Sequence, residues 1–325
     1  MRNARHIILH WVEQGHIAIA NLPRALTVAE VLPSRQEWRQ FLDRLLLWMG
    51  MALVASGLIF FLAYNWKELG RFAKFSLAEM MVIAAMVFVW RLGCDRPSGK
   101  AALFGASLFV GALLALIGQT YQTGADTFEL FGGWAAMILP WVLVARYPAL
   151  WLLWLALINL AIALYFQAFP SVFGLLFSTE RVLWALFAVN TVALVAWEAC
   201  AARGIAWLTR RWGPRLLAVV SGGFATALAM MQILEAHDAS VWAVPVWLAW
   251  LGAAFVMYRR FVKDLFVLAG GVLSVIIVVA SFFAKHLSHA DSSSFLLTGL
   301  LVIALSAAGG WWLKRLAAED QREHR

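Results

Sequence analysis

The feature that most constrains this chain is a series of ten long apolar runs separated by short polar segments. Crossing the hydrocarbon core of a bilayer takes about 20 predominantly apolar residues, and most of these runs approach that length. Because backbone amides in lipid must be satisfied within their own segment, each run is predicted to be a helix. The predicted spans are 45–64, 75–90, 101–117, 132–144, 149–166, 182–201, 216–234, 241–258, 265–283 and 294–313.

Composition supports the same fold class. Hydrophobic residues make up 63% of the chain, charged residues make up 14%, and the mean hydropathy is +0.79. Soluble domains are only about half apolar and about a quarter charged, so a soluble core cannot bury this much apolar surface. The sequence therefore predicts an all-α, polytopic transmembrane helix bundle of about ten spans.

The run 132–144 is the weakest of the ten because it is short and contains Pro140. A proline inside a helix removes one backbone donor and crowds a carbonyl of the preceding turn. The alternative for this run is a broken or re-entrant segment, which is tolerated only where protein or a cavity covers the freed carbonyls.

The basic residues predict the orientation. Of the 26 Lys and Arg residues, 21 fall in segments that lie inside if the N-terminus is inside, and 5 fall in the outer segments. Under the positive-inside rule this bias places both termini in the cytoplasm. The predicted organisation is a cytoplasmic amphipathic helical region over 1–44, the transmembrane bundle over 45–313 and a cytoplasmic tail over 314–325. Basic residues so dispersed do not predict a nucleic-acid partner.

The N-terminal region carries signals for helices. Apolar residues of 7–12 fall on one helical face, which a partner surface or the lipid interface can cover. Two capping boxes, in which a hydroxyl and a Glu each satisfy one backbone N–H, are formed by Thr27 with Glu30 and by Ser34 with Glu37. The second box predicts one unbroken helix over 35–64, from the cytoplasm into the membrane.

Small and polar residues within the runs predict helix contacts. Small residues four apart allow close approach of two backbones. Four such pairs are Ser107 with Gly111, Gly223 with Ala227, Gly270 with Ser274, and Ser306 with Gly310. The amides of Asn159, Asn190 and Gln232 are costly to leave unpaired in lipid, and they are expected to hydrogen-bond across helices.

The segment 118–131, GQTYQTGADTFELF, is the longest polar interruption without Lys or Arg, and it is predicted to lie on the outer side. Amides, a phenol, an indole and a carboxylate together suit a polar or sugar-like ligand. The predicted ligand-binding residues are Asn65, Trp66, Gln119, Tyr121, Gln122 and Asp126. The alternative is that these side chains only cap helices and anchor spans at the membrane interface.

A family resemblance rests on the two segments that follow the first and third spans. Its residues are Asn65, Trp66, Gly118, Gln119, Tyr121, Gln122, Gly124, Asp126, Leu130 and Phe131. Over roughly its first 150 residues the chain resembles a bacterial membrane family known as domain of unknown function 2157. The resemblance implies a bacterial inner-membrane protein, and it supplies no substrate or catalytic role.

No catalytic residue, metal site or cofactor is predicted. His286, His289 and Asp291 have a spacing that can hold zinc if helical, but a solvated polar loop explains them better.

The leading function is binding or transport of a polar ligand or lipid head group through an outward-facing pocket. The alternatives are an accessory or assembly subunit that docks other envelope proteins, and an intramembrane enzyme acting on lipid-linked substrates. The expected partners are the lipid bilayer and, according to the function, that ligand or another membrane protein.

Overall fold

A computed structural model of the 325-residue chain describes residues 2–29, 31–64, 70–122, 124–168, 179–234, 240–287 and 293–323, and within these ranges every regular element is helical. The helices are α1 (Arg2–Glu13), α2 (Leu22–Val28), α3 (Arg35–Tyr64), α4 (Arg71–Leu92), α5 (Pro97–Tyr121), α6 (Thr127–Ala145), α7 (Pro148–Ala168), α8 (Thr179–Ala202), α9 (Trp212–Leu234), α10 (Ala243–Val256), α11 (Leu265–Leu287) and α12 (Ser293–Glu323).

Within the described residues, nine helices are long and apolar enough to cross a membrane, namely α3 to α9, α11 and α12. The remaining predicted span corresponds to α10, which has 14 residues and continues into a five-residue π-helical turn, Met257–Phe261. The predicted fold class, an all-α polytopic membrane protein, is confirmed. The predicted orientation of the termini and the division at residues 44 and 313 stay predictions, although α12 continues unbroken through 314–323.

The long helix predicted over 35–64 is confirmed as α3, and its start has the predicted cap. The Ser34 N–H donates to the Glu37 carboxylate at 2.6 Å, and the Glu37 N–H donates to the Ser34 hydroxyl at 3.2 Å. The other predicted box is wrong at Thr27, which lies within α2 and donates its hydroxyl to the Pro23 carbonyl at 2.7 Å. Glu30 lies outside the described residues.

Pro140 does not interrupt its helix, so the broken-segment alternative is wrong. The 19-residue helix α6 runs through Pro140 from end to end. In the turn before the proline, the Trp154 indole of α7 donates to the Ala135 carbonyl at 3.1 Å. A neighbouring helix thus supplies a donor close to the place where proline removes one.

The chain divides into two compact units, Met1–Tyr121 and Gln122–Arg325. In the first unit α3 and α4 both pack against α5, whose small residues let them come close. Met51 of α3 lies directly against Gly105, so a side chain at this position would require the flexible end of Met51 to move. The predicted pair Ser107 and Gly111 lies on this buried face of α5.

In the second unit α9 packs against α8, α10 and α11, while α7 packs on α6 and α12 on α11. The predicted glycines of three small-residue pairs are wrong by one residue. Gly222, Gly271 and Gly309 have close neighbours, whereas the adjacent predicted Gly223, Gly270 and Gly310 face open space. Ser274, the other member of one pair, does lie at a helix contact, where it is buried and hydrogen-bonded to Thr226 of α9 and Trp247 of α10. One residue along a helix turns the face by about 100°, which apolar content alone does not specify.

The predicted pairing of the buried amides is confirmed. The Asn190 amide of α8 donates to the Asn159 carbonyl oxygen of α7 at 2.5 Å, and the return bond measures 3.3 Å. Gln232 of α9 accepts the Val244 N–H at 2.7 Å and so joins α9 to the start of α10. Each amide therefore satisfies its polar atoms between elements, as lipid requires.

Candidate functional site

The polar segment 118–131 joins the end of α5 to the start of α6. Gln119, Tyr121, Gln122 and Asp126 all have exposed side chains, and Tyr121 is 60% exposed with its ring 5.8 Å from that of Phe75. Asn65 and Trp66 lie outside the described residues. The convergence of these six residues on one pocket therefore stays a prediction.

Asp126 caps a helix, as the alternative interpretation of this segment predicted. It is the N-cap of α6 and forms a capping box with Glu129, whose carboxylate accepts the Asp126 N–H at 3.2 Å. A cap of this kind satisfies backbone donors that the first helical turn leaves free. Asp126 thus contributes to the start of α6 whether or not it also binds a ligand.

Of the histidine-containing cluster, only His286 is described. Its ring is exposed, and Nδ1 lies 2.8 Å from the Phe282 carbonyl of the preceding turn. His289 and Asp291 lie outside the described residues. Among the side chains that the structure does describe, no group of three or more His, Cys, Asp or Glu residues is arranged to hold a metal.

An apolar groove lies between α7 and α8 in the second unit, and the sequence reasoning missed it. The groove encloses about 570 Å³ between the half of α7 before Asn159 and the half of α8 after Phe187. Its walls are nearly all apolar, and four of its members are Trp151, Trp154, Trp197 and Trp207. We call it the tryptophan groove. The Asn159–Asn190 pair stands at its end near the middle of both helices.

The four indoles form one packed arrangement. Trp207, in the short 3-10 turn Ala206–Leu208, stacks on Trp151 with ring centroids 6.3 Å apart, and its other neighbour is Trp197 at 6.3 Å. Trp151 also meets Trp154 edge to face at 6.1 Å. Ring pairs of this kind add stabilisation beyond the area that they bury. The turn and both helix ends are thereby held around the groove.

The indole N–H groups differ in one respect that matters for binding. The N–H of Trp154 donates to the Ala135 carbonyl and that of Trp197 to the Leu208 carbonyl, at 3.1 and 3.2 Å. The N–H of Trp151 is buried and has no acceptor in the part of the chain that the structure describes. Leaving a buried donor unpaired costs about 1–3 kcal/mol. An occupant of the groove with an acceptor oxygen would remove that cost.

The groove opens sideways along α8. Ala188, Val192 and Ala196 line it and are also exposed, with Val192 exposed by 68%. Their spacing of four puts them on one helical face, so the opening runs along the helix for about 12 Å. Because α8 is long and apolar enough to cross a membrane, an apolar opening on its side is suited to contact with lipid.

A cluster of charged residues lies near the other end of the groove, the end at the turn Ala206–Leu208. Arg211 donates both terminal nitrogens to the Glu198 carboxylate, each at 3.0 Å, and its Nε donates to Asp264 at 3.2 Å. The Nε of Arg215 donates to both oxygens of Asp264, at 3.1 and 2.9 Å. Both carboxylates are buried, so the arginines supply the opposite charge that buried acids require.

The charged cluster joins four helices of the second unit. Tyr258 donates its hydroxyl to Glu198 at 2.9 Å, and the Phe266 N–H donates to Asp264 at 3.1 Å. Burial alone would raise the pKa of Asp264, but the hydrogen bond and charge of Arg215, with the hydrogen bonds from Arg211 and the Phe266 N–H, outweigh burial and lower the pKa. The cluster fits a structural role, in which it holds together the ends of α8, α9, α10 and α11, because both of its carboxylates are paired with arginines.

The fold and these features define a class, which is a polytopic helical membrane protein. Residues 9–151 match the model of a family described as "Predicted membrane protein (DUF2157)". The resemblance inferred over the first 150 residues is therefore confirmed, and the description assigns no activity. No curated protein and no solved structure matches the chain. Apart from Trp151, the residues that line the tryptophan groove lie beyond the matched region.

Proposed function

We propose that this protein binds a lipid of the membrane that contains it, with one apolar chain of the lipid in the tryptophan groove. The resemblance above suggests that this is the bacterial inner membrane. The observation that carries the proposal is the unpaired Trp151 N–H inside an apolar groove that opens along the side of α8. A volume of about 570 Å³ lies within the range of roughly 300–1,000 Å³ typical of sites for small molecules.

The shape of the groove favours a single chain over a compact ligand. The groove extends from near the middle of α8 to the turn Ala206–Leu208 at its end, about half the length of a span. One leaflet of hydrocarbon is about 15 Å thick, so a chain in the groove would keep the depth that it has in the bilayer. A soluble polar molecule would make few favourable contacts with these apolar walls, whereas an acyl chain would be apolar along its whole length.

The unpaired donor favours a lipid over a plain hydrocarbon. Trp151 is the third residue after Pro148 at the start of α7, and the end of a span is where a lipid's ester groups are expected. An ester carbonyl can accept an indole N–H, as aromatic residues at membrane interfaces commonly show. We therefore expect the lipid's ester region to lie beside Trp151 and its chain to point toward Asn159.

Cys200 offers a direct test because it lines the groove and the only other thiol is Cys94. In a Cys94→Ser variant, an apolar maleimide reports access to Cys200. We expect long-chain phospholipid to slow its alkylation and a short-chain, water-soluble analogue to leave the rate unchanged. Equal alkylation rates with and without long-chain lipid would contradict the proposal.

A filling substitution supplies the matched comparison. Ala196 and Ala199 are both exposed alanines of α8, but only Ala196 lines the groove. We expect Ala196→Trp to lower the number of lipids that the purified protein retains in native mass spectrometry. Ala199→Trp should retain lipid as the parent chain does.

A second proposal is that the segment 118–131, with Asn65 and Trp66, binds a polar ligand or lipid head group from the outer side. It is supported by the exposure of Gln119, Tyr121, Gln122 and Asp126. A head-group analogue such as glycerol phosphate should raise the melting temperature of the parent protein and not that of Gln119→Ala. Asp126→Ala is a poorer probe, because losing an N-cap costs about 0.5–2 kcal/mol by itself.

The other two functions have weaker support. The candidate residues for an enzyme acting on lipid-linked substrates are Asp126, which caps α6, and the cluster of which only His286 is described. The buried acids Glu198 and Asp264 are held by arginines. Docking of other envelope proteins would use apolar faces such as that of α1, where Ile7 and Trp11 are about half exposed. Co-purification of a fixed partner in place of lipid would favour the docking function.

A further inference from the structure

We propose that the lipid in the tryptophan groove has an anionic head group, and that Arg146, Arg203 and Arg210 bind it. This inference rests on the proposed function, because it concerns the polar end of the same lipid. It names a class of lipid, such as a phosphatidylglycerol, that carries a net negative charge at its phosphate.

Eight arginines of the second unit fall into two groups. The first group pairs with carboxylates: Arg211 with Glu198 and Asp264, Arg215 with Asp264, and Arg259 and Arg315 with Glu319. The second group consists of Arg146, Arg203, Arg210 and Arg260, which are exposed and form no ion pair with a carboxylate among the described residues. Arg260 belongs to the π-helical turn after α10, which contributes no residue to the groove, whereas the other three lie close in sequence to residues that line it. Their charge is therefore available to a ligand.

Two arginines of the second group flank the turn that closes the groove. Arg203 lies three residues before the turn Ala206–Leu208, and Arg210 lies two residues after it. Trp207 of that turn stacks on Trp151, so the turn is fixed beside the unpaired N–H. Both arginines therefore flank the turn at this end of the groove, where the polar part of a bound lipid would emerge.

Arg146 approaches the same end from α7. It lies between α6 and α7, in a left-handed backbone conformation, five residues before Trp151. Its neighbour Tyr147 is close enough to Arg210 for that charge to act on the phenol. Burial raises the pKa of Tyr147 to about 12, and Arg210 partly opposes the rise. Arg146 is thus the sequence neighbour of a residue on which the charge of Arg210 acts.

This arrangement suits a phosphate. A phosphodiester only accepts hydrogen bonds, and a guanidinium donates to it through two parallel N–H groups. Placed at helix ends, arginines can reach the head-group level while their alkyl stems stay against apolar surface. A zwitterionic head group would bring a cation into the same cluster and lose much of the attraction. Anionic lipids should therefore bind more tightly than zwitterionic lipids with identical chains.

The experiment compares dioleoyl phosphatidylglycerol with dioleoyl phosphatidylcholine in the alkylation assay of Cys200, using the full Cys94→Ser chain. We expect phosphatidylglycerol to protect Cys200 at about a tenfold lower concentration, and raised salt to shrink the difference. The triple change Arg146→Gln, Arg203→Gln and Arg210→Gln should remove the preference, so that both lipids protect Cys200 at the same concentration. Its control is the triple change Arg39→Gln, Arg91→Gln and Arg96→Gln, which removes the same charge from exposed positions of the first unit.

Each outcome has one meaning. The inference is supported if the preference is lost in the variant with Arg146, Arg203 and Arg210 changed but is kept in the control variant with Arg39, Arg91 and Arg96 changed. Equal protection by both lipids in the parent chain overturns it and leaves the proposed function standing. Protection by inorganic phosphate alone also overturns it, because the cluster would then bind free anions. Failure of both lipids to protect Cys200 overturns the proposed function itself.

Discussion

At the scale of single residues, the second unit depends on a few polar side chains whose partners come from distant parts of the chain. Asp264 is 3% exposed and takes hydrogen bonds from two arginines and one backbone amide. Asn190 is 1% exposed and is paired with Asn159. Each is stable where it lies only because its partner is present.

Asp264→Asn should destabilise the second unit. The change leaves Arg211 and Arg215 without one of their negative partners, and removing one member of a buried ion pair typically costs about 3–5 kcal/mol. Asp95→Asn, at an exposed position between α4 and α5, is the control and should have little effect. Thermal unfolding in detergent measures both, and equal melting temperatures for the two variants would contradict the role assigned to Asp264.

The same carboxyl predicts a dependence on pH. The pKa of Asp264 is lower in the folded chain than its ordinary value of 3.8, so the unfolded chain binds this proton more readily. The stability that it contributes is therefore present above about pH 4 and is lost as the pH falls further. The difference in stability between parent and Asp264→Asn should shrink below pH 4. A difference that stays constant down to pH 2 would argue against this assignment.

The amide pair predicts non-additive mutational effects. Asn159→Leu or Asn190→Leu alone strands the other amide and should cost about 1–2 kcal/mol. Changing both to Leu removes two polar groups together and should cost no more than either single change. A double-mutant cycle of unfolding free energies checks this. Strict additivity would show that the two amides do not stabilise each other.

At the scale of helices, the presence and approximate length of most helices could be predicted from the sequence. Which side of each helix packs against its neighbours could not. Ten apolar runs predicted ten helices because backbone groups in lipid have few other ways to be satisfied. Packing between helices depends on which side of each helix turns inward, and a one-residue error moves that side by about 100°. This is why Gly223 was selected from the sequence while Gly222 makes the close contact.

Gly222→Ala and Gly223→Ala form a matched pair on α9. A Cβ atom on Gly222 would lie 2.6 Å from the Trp250 ring, whose indole N–H is held by the Ser221 hydroxyl at 3.0 Å. We expect Gly222→Ala to lower the melting temperature. At Gly223 a Cβ meets open space, so Gly223→Ala should be neutral or stabilise by up to about 1 kcal/mol. The opposite ranking would show that α9 faces its neighbours differently.

At the scale of the whole molecule, the charge bias predicts the orientation. With 21 of 26 basic residues in the predicted inner segments, reporter fusions at Arg325 should report the cytoplasm. Fusions within 122–126 should report the outer side. An external C-terminus would remove the predicted topology, and would place the three arginines proposed to bind the head group in the outer leaflet.

Most of the candidate site could not be predicted from the sequence. The segment 118–131 stood out because polar residues are conspicuous in an apolar chain. The tryptophan groove did not, since its wall consists of the same residue types that line any span. The groove exists because α7 and α8 leave a space between them on one side of the Asn159–Asn190 pair, which is a property of packing. The unpaired N–H of Trp151 is likewise visible only once every acceptor around it has been placed.

The central claim is that the tryptophan groove holds a lipid, and a map at side-chain resolution of the full chain in nanodiscs with anionic lipid tests it most directly. We predict one elongated density that passes Val192 and Ala196 between α7 and α8. An oxygen at its polar end should lie about 3 Å from Nε1 of Trp151. A map in which α7 and α8 close upon each other, with the Trp151 N–H bonded to a protein acceptor, would contradict it.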